Sequence, residues 1–141
     1  GAKPRGGPSM TLGREFIVAS LALNIAVLVP VCYGLYTNGE GMKYVYGAET
    51  PARGILKSMY TSILLVSLGL VPAVFIDEVR VGAQFMAAGL LIVQIVYKFL
   101  TPATTTGGVP PGYSMNPAVL SNLGIALFHC ITLGIFLAHA P

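Results

Sequence analysis

The stretch PAVLSNLGIALFHCITLGIFLA, residues 117–138, carries no charged side chain and decides the fold class. Its length is close to the roughly 20 helical residues that cross the hydrocarbon core of a bilayer. Three further apolar stretches lie at about 15–36, 54–76 and 81–100. Their backbone polar groups must be satisfied within each span, and the runs lack the alternation of barrel strands. The sequence therefore predicts an all-α integral membrane protein with four transmembrane helices in an antiparallel bundle.

The composition leaves little of the chain outside the membrane. Of the 141 residues, 55% are hydrophobic and 9% are charged, a balance that is rare in soluble domains. We expect a polar tail at 1–14 and a single membrane domain at 15–141. Residues 1–9 precede Met10 and have two open interpretations. They are either a remnant of cloning or the mature end of a chain whose targeting peptide was removed.

The basic residues are scattered over the tail and the loops, which argues against binding to nucleic acid. They are Lys3, Arg5, Arg14, Lys43, Arg53, Lys57, Arg80 and Lys98. With the tail included, the two sides of the membrane carry equal numbers of them, so the positive-inside rule gives no orientation. Without residues 1–9, the count favours an N-terminus outside. We expect a bacterial inner membrane, or a thylakoid or mitochondrial inner membrane.

Each predicted span carries a polar side chain near the middle of the membrane. Such residues usually face other helices and form hydrogen bonds across them. We expect a polar layer of Asn24, Ser62, Gln94 and His129, with Ser67 as the alternative to Ser62. The third span also carries a stripe at helical steps of three and four, which should face protein. Its members are Gln84, Ala87, Leu91, Gln94 and Lys98, and Lys98 is close enough to the span end to extend to the interface.

His129 has two interpretations at this depth. A neutral imidazole that bonds to an Asn, a Ser or a carbonyl would lock the bundle, whereas an axial ligand would hold haem iron or chlorophyll magnesium. In the second case Gln84, Gln94 and Asn122 are weaker candidate ligands. Asn122 lies two helical turns from His129 and on the same face. No metal site made of protein side chains alone is expected, because no second histidine accompanies His129 at its depth.

Catalysis is not expected. Asp77 and Glu78 belong to the membrane surface, about 15 Å from the depth of His129, so no hydrolytic triad forms. The two cysteines, Cys32 and Cys130, differ in depth by roughly 10 Å, which is too far for a disulfide. We expect both of them to be small buried hydrophobic side chains.

Two Pro-containing pairs predict helix starts, namely Thr50-Pro51 and Asn116-Pro117. The turn signals Asn38-Gly39 and Glu40-Gly41 indicate a loop before the first of these starts. Residues Thr50, Arg53 and Lys57 have two interpretations. They form either a capped helix with a solvated basic edge, or a contact with acidic lipid or with a partner protein.

Three functions follow as expectations from these observations. The leading one is a non-catalytic subunit that packs into a larger respiratory or photosynthetic membrane complex. The reasons are that the chain has no set of residues spaced for catalysis and that its loops are short or neutral. The second is a pigment- or haem-binding protein with His129 as axial ligand. The third is a small carrier or lipid-metabolite binder with a mid-membrane pocket bounded by Asn24, Ser62, Gln94 and His129.

Overall fold

The computed structural model describes residues 8–105, 109 and 112–139. Within these ranges the chain is helical and forms no strand. The helices are α1 (Pro8–Tyr36), α2 (Glu40–Tyr46), α3 (Pro51–Ala73), α4 (Arg80–Thr104) and α5 (Pro117–Ala138). The first seven residues of the predicted tail lie outside the described ranges, and the rest of the tail, 8–14, is helical rather than irregular.

Four helices are long and apolar enough to span a membrane, which confirms the predicted fold class. They are Leu12–Tyr36, Pro51–Ala73, Arg80–Thr104 and Pro117–Ala138. The second span begins and ends earlier than the predicted 54–76, because Pro51 occupies the first helical position and Thr50 caps it. The Thr50 side chain accepts a hydrogen bond from the Arg53 amide at 3.2 Å. Asn116 caps α5 in the same way, through the Ala118 amide at 2.8 Å.

Helix α1 lies at the centre of the packing. It contacts α3 and α5 extensively and α4 less so, while α4 packs along α5. One apolar cluster, which includes Leu21, Leu70, Leu91 and Phe136, lies toward the α3–α4 turn. A second cluster, which includes Leu28, Leu35 and Ile63, lies toward the opposite end. The polar residues of the spans therefore lie either between these two apolar clusters or beyond them.

The outer surface of the bundle suits lipid. At most 39% of the apolar window of any span is buried within the protein. The remainder displays large apolar side chains such as Ile55, Val93 and Leu137, for which hydrocarbon is the matching solvent. Cys32 is buried as predicted, but Cys130 is exposed on this outer surface. The prediction for Cys130 was wrong because the burial of its neighbour His129 turns the following residue outward on the helix.

The predicted first loop contains a helix that the turn signals did not indicate. Helix α2 folds back over the end of α1, where a side chain at Gly34 would come within 2.7 Å of Met42. Asn38 takes a left-handed conformation with φ of 54°, and Gly47 follows α2 with φ of 80°, a region that Gly and Asn tolerate best. These residues place α2 across one end of the bundle.

Candidate functional site

His129 is fully buried at the middle of the bundle and both of its ring nitrogens are hydrogen-bonded. Nδ1 lies 3.1 Å from Ser20 Oγ, and Nε2 lies 3.1 Å from Asn24 Oδ1. Ser20 Oγ lies 2.7 Å from Thr132 Oγ1, and Asn24 Nδ2 donates to Ser67 Oγ at 3.3 Å. These five residues, which we call the His129 network, join α1, α3 and α5.

The chemistry of the partners gives every hydrogen bond of the His129 network one direction. Asn24 Oδ1 can only accept, so the His129 hydrogen is on Nε2 and Nδ1 accepts from the Ser20 hydroxyl. The Thr132 hydroxyl then donates to Ser20. A neutral imidazole thus satisfies every partner, and the Nδ1 lone pair that an iron or magnesium ion would need is engaged by Ser20. A macrocycle metal on Nδ1 of His129 would require the hydrogen bond from Ser20 to break, whereas Nε2 could keep its bond to Asn24.

The predicted polar layer is only partly assembled. Asn24 and His129 are in direct contact, but Ser62 is exposed and donates to the Ser58 carbonyl of its own helix at 2.8 Å. Ser67 takes the place predicted for Ser62, because the rotation of α3 turns Ser67 inward. Asn24 bonds directly to His129, and neither of the two spaces described below is lined by Asn24, Ser62, Gln94 or His129.

None of the candidate weaker ligands forms a hydrogen bond with His129, whose ring nitrogens bond to Ser20 and Asn24. Gln94 is 1% exposed and its Nε2 has no hydrogen-bond partner among the described residues. Asn122 accepts from Lys98 Nζ at 2.8 Å and is not a member of the His129 network. Gln84 is half-buried, whereas the rest of its predicted stripe is buried and faces protein as expected. Lys98 itself is 4% exposed, so the prediction that it extends to the interface was wrong.

A larger cavity lies at the end of the bundle where α3 and α5 begin and α4 ends. It has a volume of about 730 Å³ and lies beneath α2. We call it the end cavity. Its polar lining residues include Thr50, Arg53, Thr101, Thr104, Asn116 and Asn122, and its apolar lining residues include Val45, Leu56, Ala118 and Val119. This volume falls within the roughly 300–1,000 Å³ typical of small-molecule sites.

Arg53 is the charged residue in the wall of the end cavity and is 2% exposed. Its Nη1 donates to Asn38 Oδ1 at 3.0 Å and to the Gly47 carbonyl at 2.9 Å. Nε and Nη2 are buried without a partner among the described residues. The expected solvated or partner-facing basic edge is therefore wrong for Arg53, because the loop that Asn38 and Gly47 form draws its side chain inward.

A smaller space of about 40 Å³ adjoins the end cavity and contains Lys98 in its wall. Both spaces share Tyr46, Tyr60 and Asn122 as lining residues. The Tyr46 and Tyr60 rings meet edge to face with centroids 6.1 Å apart. Burial raises the pKa of Tyr46 above its ordinary value, so this phenol stays neutral at physiological pH. Two basic side chains, Arg53 and Lys98, thus line two neighbouring spaces that share wall residues.

No acidic side chain lines either space among the described residues. Glu49 is the acid closest along the chain to Arg53, but its carboxylate is engaged by Lys57 outside the end cavity. The hydrogen bond from Lys57 lowers the pKa of Glu49, which stays ionised and exposed. Lys57 also lies 5.8 Å from the centre of the Tyr36 ring. Of the predicted basic edge, Lys57 therefore remains outside the end cavity, where it is paired with Glu49.

Sequence reasoning missed the end cavity, because its walls come from four helices. The tyrosines of α2 and the threonines at the end of α4 could have indicated this cavity, because these polar residues lie at the same end of the bundle as Arg53. Within the described ranges, no group of three or more His, Cys, Asp or Glu residues is placed to hold a metal ion.

Comparison with known proteins gives no relative. No protein-family model matches the chain, and no significant match exists among curated proteins or solved structures.

Proposed function

We propose that this chain is a non-catalytic integral membrane protein that binds a small amphipathic molecule in the end cavity. The observation that carries the proposal is a cavity of about 730 Å³ that is lined by both polar and apolar side chains. A molecule with an apolar body and a polar head matches such a site, because each part finds lining side chains of its own kind. The earlier expectation of a lipid-metabolite binder is retained, but the site moves from the middle of the membrane to its edge.

The His129 network supports this function as a structural element. It joins α1 to α3 and to α5, two of the helices whose first turns line the end cavity. A rigid scaffold lowers the conformational cost of binding, because the walls are in place before the ligand arrives. In this proposal His129 positions helices and has no contact with the ligand.

The other two expected functions have no specific observation in their favour. Membership of a larger membrane complex stays a prediction. The pigment-binding alternative also stays a prediction, with the added condition that the metal of a macrocycle must displace Ser20 from Nδ1 of His129.

Two alanine-to-tryptophan variants test the proposal. Ala52 and Ala103 are both exposed and both lie at this end of the bundle, but Ala52 lines the end cavity and Ala103 does not. Wild type and both variants are purified in a mild neutral detergent, and the small molecules that remain bound are extracted and identified by mass spectrometry. We expect one amphipathic class to be retained at near-equal amounts by wild type and Ala103→Trp, and to be lost from Ala52→Trp.

Retention of the same molecule by Ala52→Trp would place it outside the end cavity and would contradict the proposal. Helical content measured by circular dichroism confirms that each variant is folded before the extracts are compared. The chain contains no native tryptophan, so the fluorescence of each introduced indole reports separately on whether its surroundings are occupied.

A further inference from the structure

The unpaired edge of Arg53 indicates what kind of head group the end cavity holds. A guanidinium has five N–H donors in a rigid plane. The two hydrogens of Nη1 are used by Asn38 and Gly47 within the protein. Nε and Nη2 remain, and together they form the side edge of the fork. This edge matches two oxygens of a carboxylate or phosphate in a bidentate contact.

Burial makes this unpaired edge unusual. Arg53 is 2% exposed, and neither Nε nor Nη2 has a partner among the described residues. Removing a charged donor from water without giving it an acceptor is unfavourable, and a native protein rarely leaves such a group unsatisfied. Arg53 also lines the end cavity, so a ligand there can supply the missing acceptor oxygens once a shift of the side chain brings its buried edge to the cavity surface.

The remaining charges around the end cavity favour the same sign of ligand. Lys98 lines the adjoining space and donates to Asn122, a residue of both spaces. No described carboxylate lines either space, and Glu49 is paired with Lys57 outside them. A cation would meet two basic groups here and no compensating acid. An anion would meet two basic groups that are both buried within the protein.

We propose that Arg53 binds the head group of the ligand in the end cavity, and that this head is a carboxylate or a phosphate. The inference rests on the proposed function, because the end cavity has to bind a ligand at all. It adds the chemical class of that ligand. The apolar lining residues Leu56, Ala118 and Val119 are left for the body of the molecule.

Three probes distinguish the class and the source of the anion. Dihexanoyl phosphatidate is an anionic amphiphile, dihexanoyl phosphatidylcholine has the same chains with a zwitterionic head, and inorganic phosphate has no chains. Binding of each to the purified full chain in neutral detergent is measured by isothermal titration calorimetry. We expect phosphatidate to bind about tenfold or more tightly than phosphatidylcholine, the gain of one charge-assisted bidentate contact. This comparison uses the wild-type chain and needs no variant.

Two variants assign the preference to Arg53. Arg53→Gln removes the bidentate edge and should reduce the affinity for phosphatidate about tenfold or more, to the level of phosphatidylcholine. Asn38→Gly removes an internal partner of the guanidinium but keeps the edge, and glycine accepts the positive φ of that position. It should retain the preference for phosphatidate. Circular dichroism and thermal melting check that both variants are folded.

The outcomes separate this inference from the proposed function. Inorganic phosphate binding as tightly as phosphatidate, with loss in Arg53→Gln, would support the anion site and identify a soluble anion as its source. Equal binding of the two lipids, or an unchanged preference in folded Arg53→Gln, would overturn the anion inference while the end cavity still binds amphiphiles. If neither lipid binds wild type, both the anion inference and the proposed function are overturned.

Discussion

Replacing His129 with leucine tests the structural role of the histidine at the centre of the bundle. The leucine keeps the site filled with an apolar side chain of similar size but removes both ring nitrogens. Ser20 retains its bond to Thr132, and Asn24 retains its bond to Ser67. The Asn24 Oδ1 atom loses its only hydrogen-bond partner among the described side chains. The variant therefore breaks two interhelical bonds at 3.1 Å and leaves one buried acceptor unsatisfied.

The size of the effect follows from these two bonds. A hydrogen bond between membrane helices contributes about 0.6 kcal/mol on average and up to ~1.7 kcal/mol. His129→Leu should therefore lower the free energy of unfolding by about 1–3 kcal/mol. His129→Ala should cost a further 1–2 kcal/mol or so, because it also leaves a cavity. The assay is equilibrium unfolding in mixed micelles of neutral detergent and dodecyl sulfate, followed by circular dichroism.

His139 provides the matched control. Its Nδ1 is 2.8 Å from the Ile135 carbonyl of its own helix, so it joins no two helices. His139→Ala should change the free energy of unfolding by less than about 0.5 kcal/mol. A His129→Leu protein as stable as wild type would refute the reasoning, as would equal losses at both histidines. An absorption spectrum of the same preparations adds a second readout. We expect no Soret-region band, and a band that His129→Ala abolishes would instead support the axial-ligand hypothesis.

Three further predictions concern the end of the bundle that contains the end cavity. Lys98→Met should leave the stability unchanged or raise it, whereas Asn122→Leu strands the buried amine and should cost about 3 kcal/mol, both measured by the same unfolding assay. Asn116→Asp keeps the oxygen that caps α5 but loses the Nδ2 hydrogen bond to the α2 carbonyl at 2.9 Å. This variant should lower the free energy of unfolding by about 1 kcal/mol, and its thermal unfolding should remain cooperative. Because the pKa of Glu49 is lowered by Lys57, their contact stabilises the fold above the unfolded-state pKa and is lost as the pH falls through the folded-state value. Glu49→Gln should therefore reduce the fall in melting temperature that occurs as the pH is lowered. An unchanged dependence of the melting temperature on pH would contradict the assignment.

Local sequence determined the spans and their starts. The number of transmembrane helices follows from the length and charge of each apolar run, and the caps at Thr50 and Asn116 follow from residues within one turn of each other. The partner of His129 was foreseen by type, because a buried imidazole needs hydrogen bonds wherever it lies. These features need no knowledge of how the helices are arranged around one another.

Only the tertiary structure decided which polar residues meet. Ser67 rather than Ser62 joins the His129 network because the rotation of α3 about its axis is set by packing against α1. Arg53 was expected at the surface, but it is buried and lines the end cavity, because its side chain bonds to Asn38 and Gly47 in the preceding loop. Hydropathy and capping depend on neighbours in sequence, whereas a cavity depends on contacts between helices far apart in the chain. For that reason the membrane fold could be predicted from the sequence and the end cavity could not.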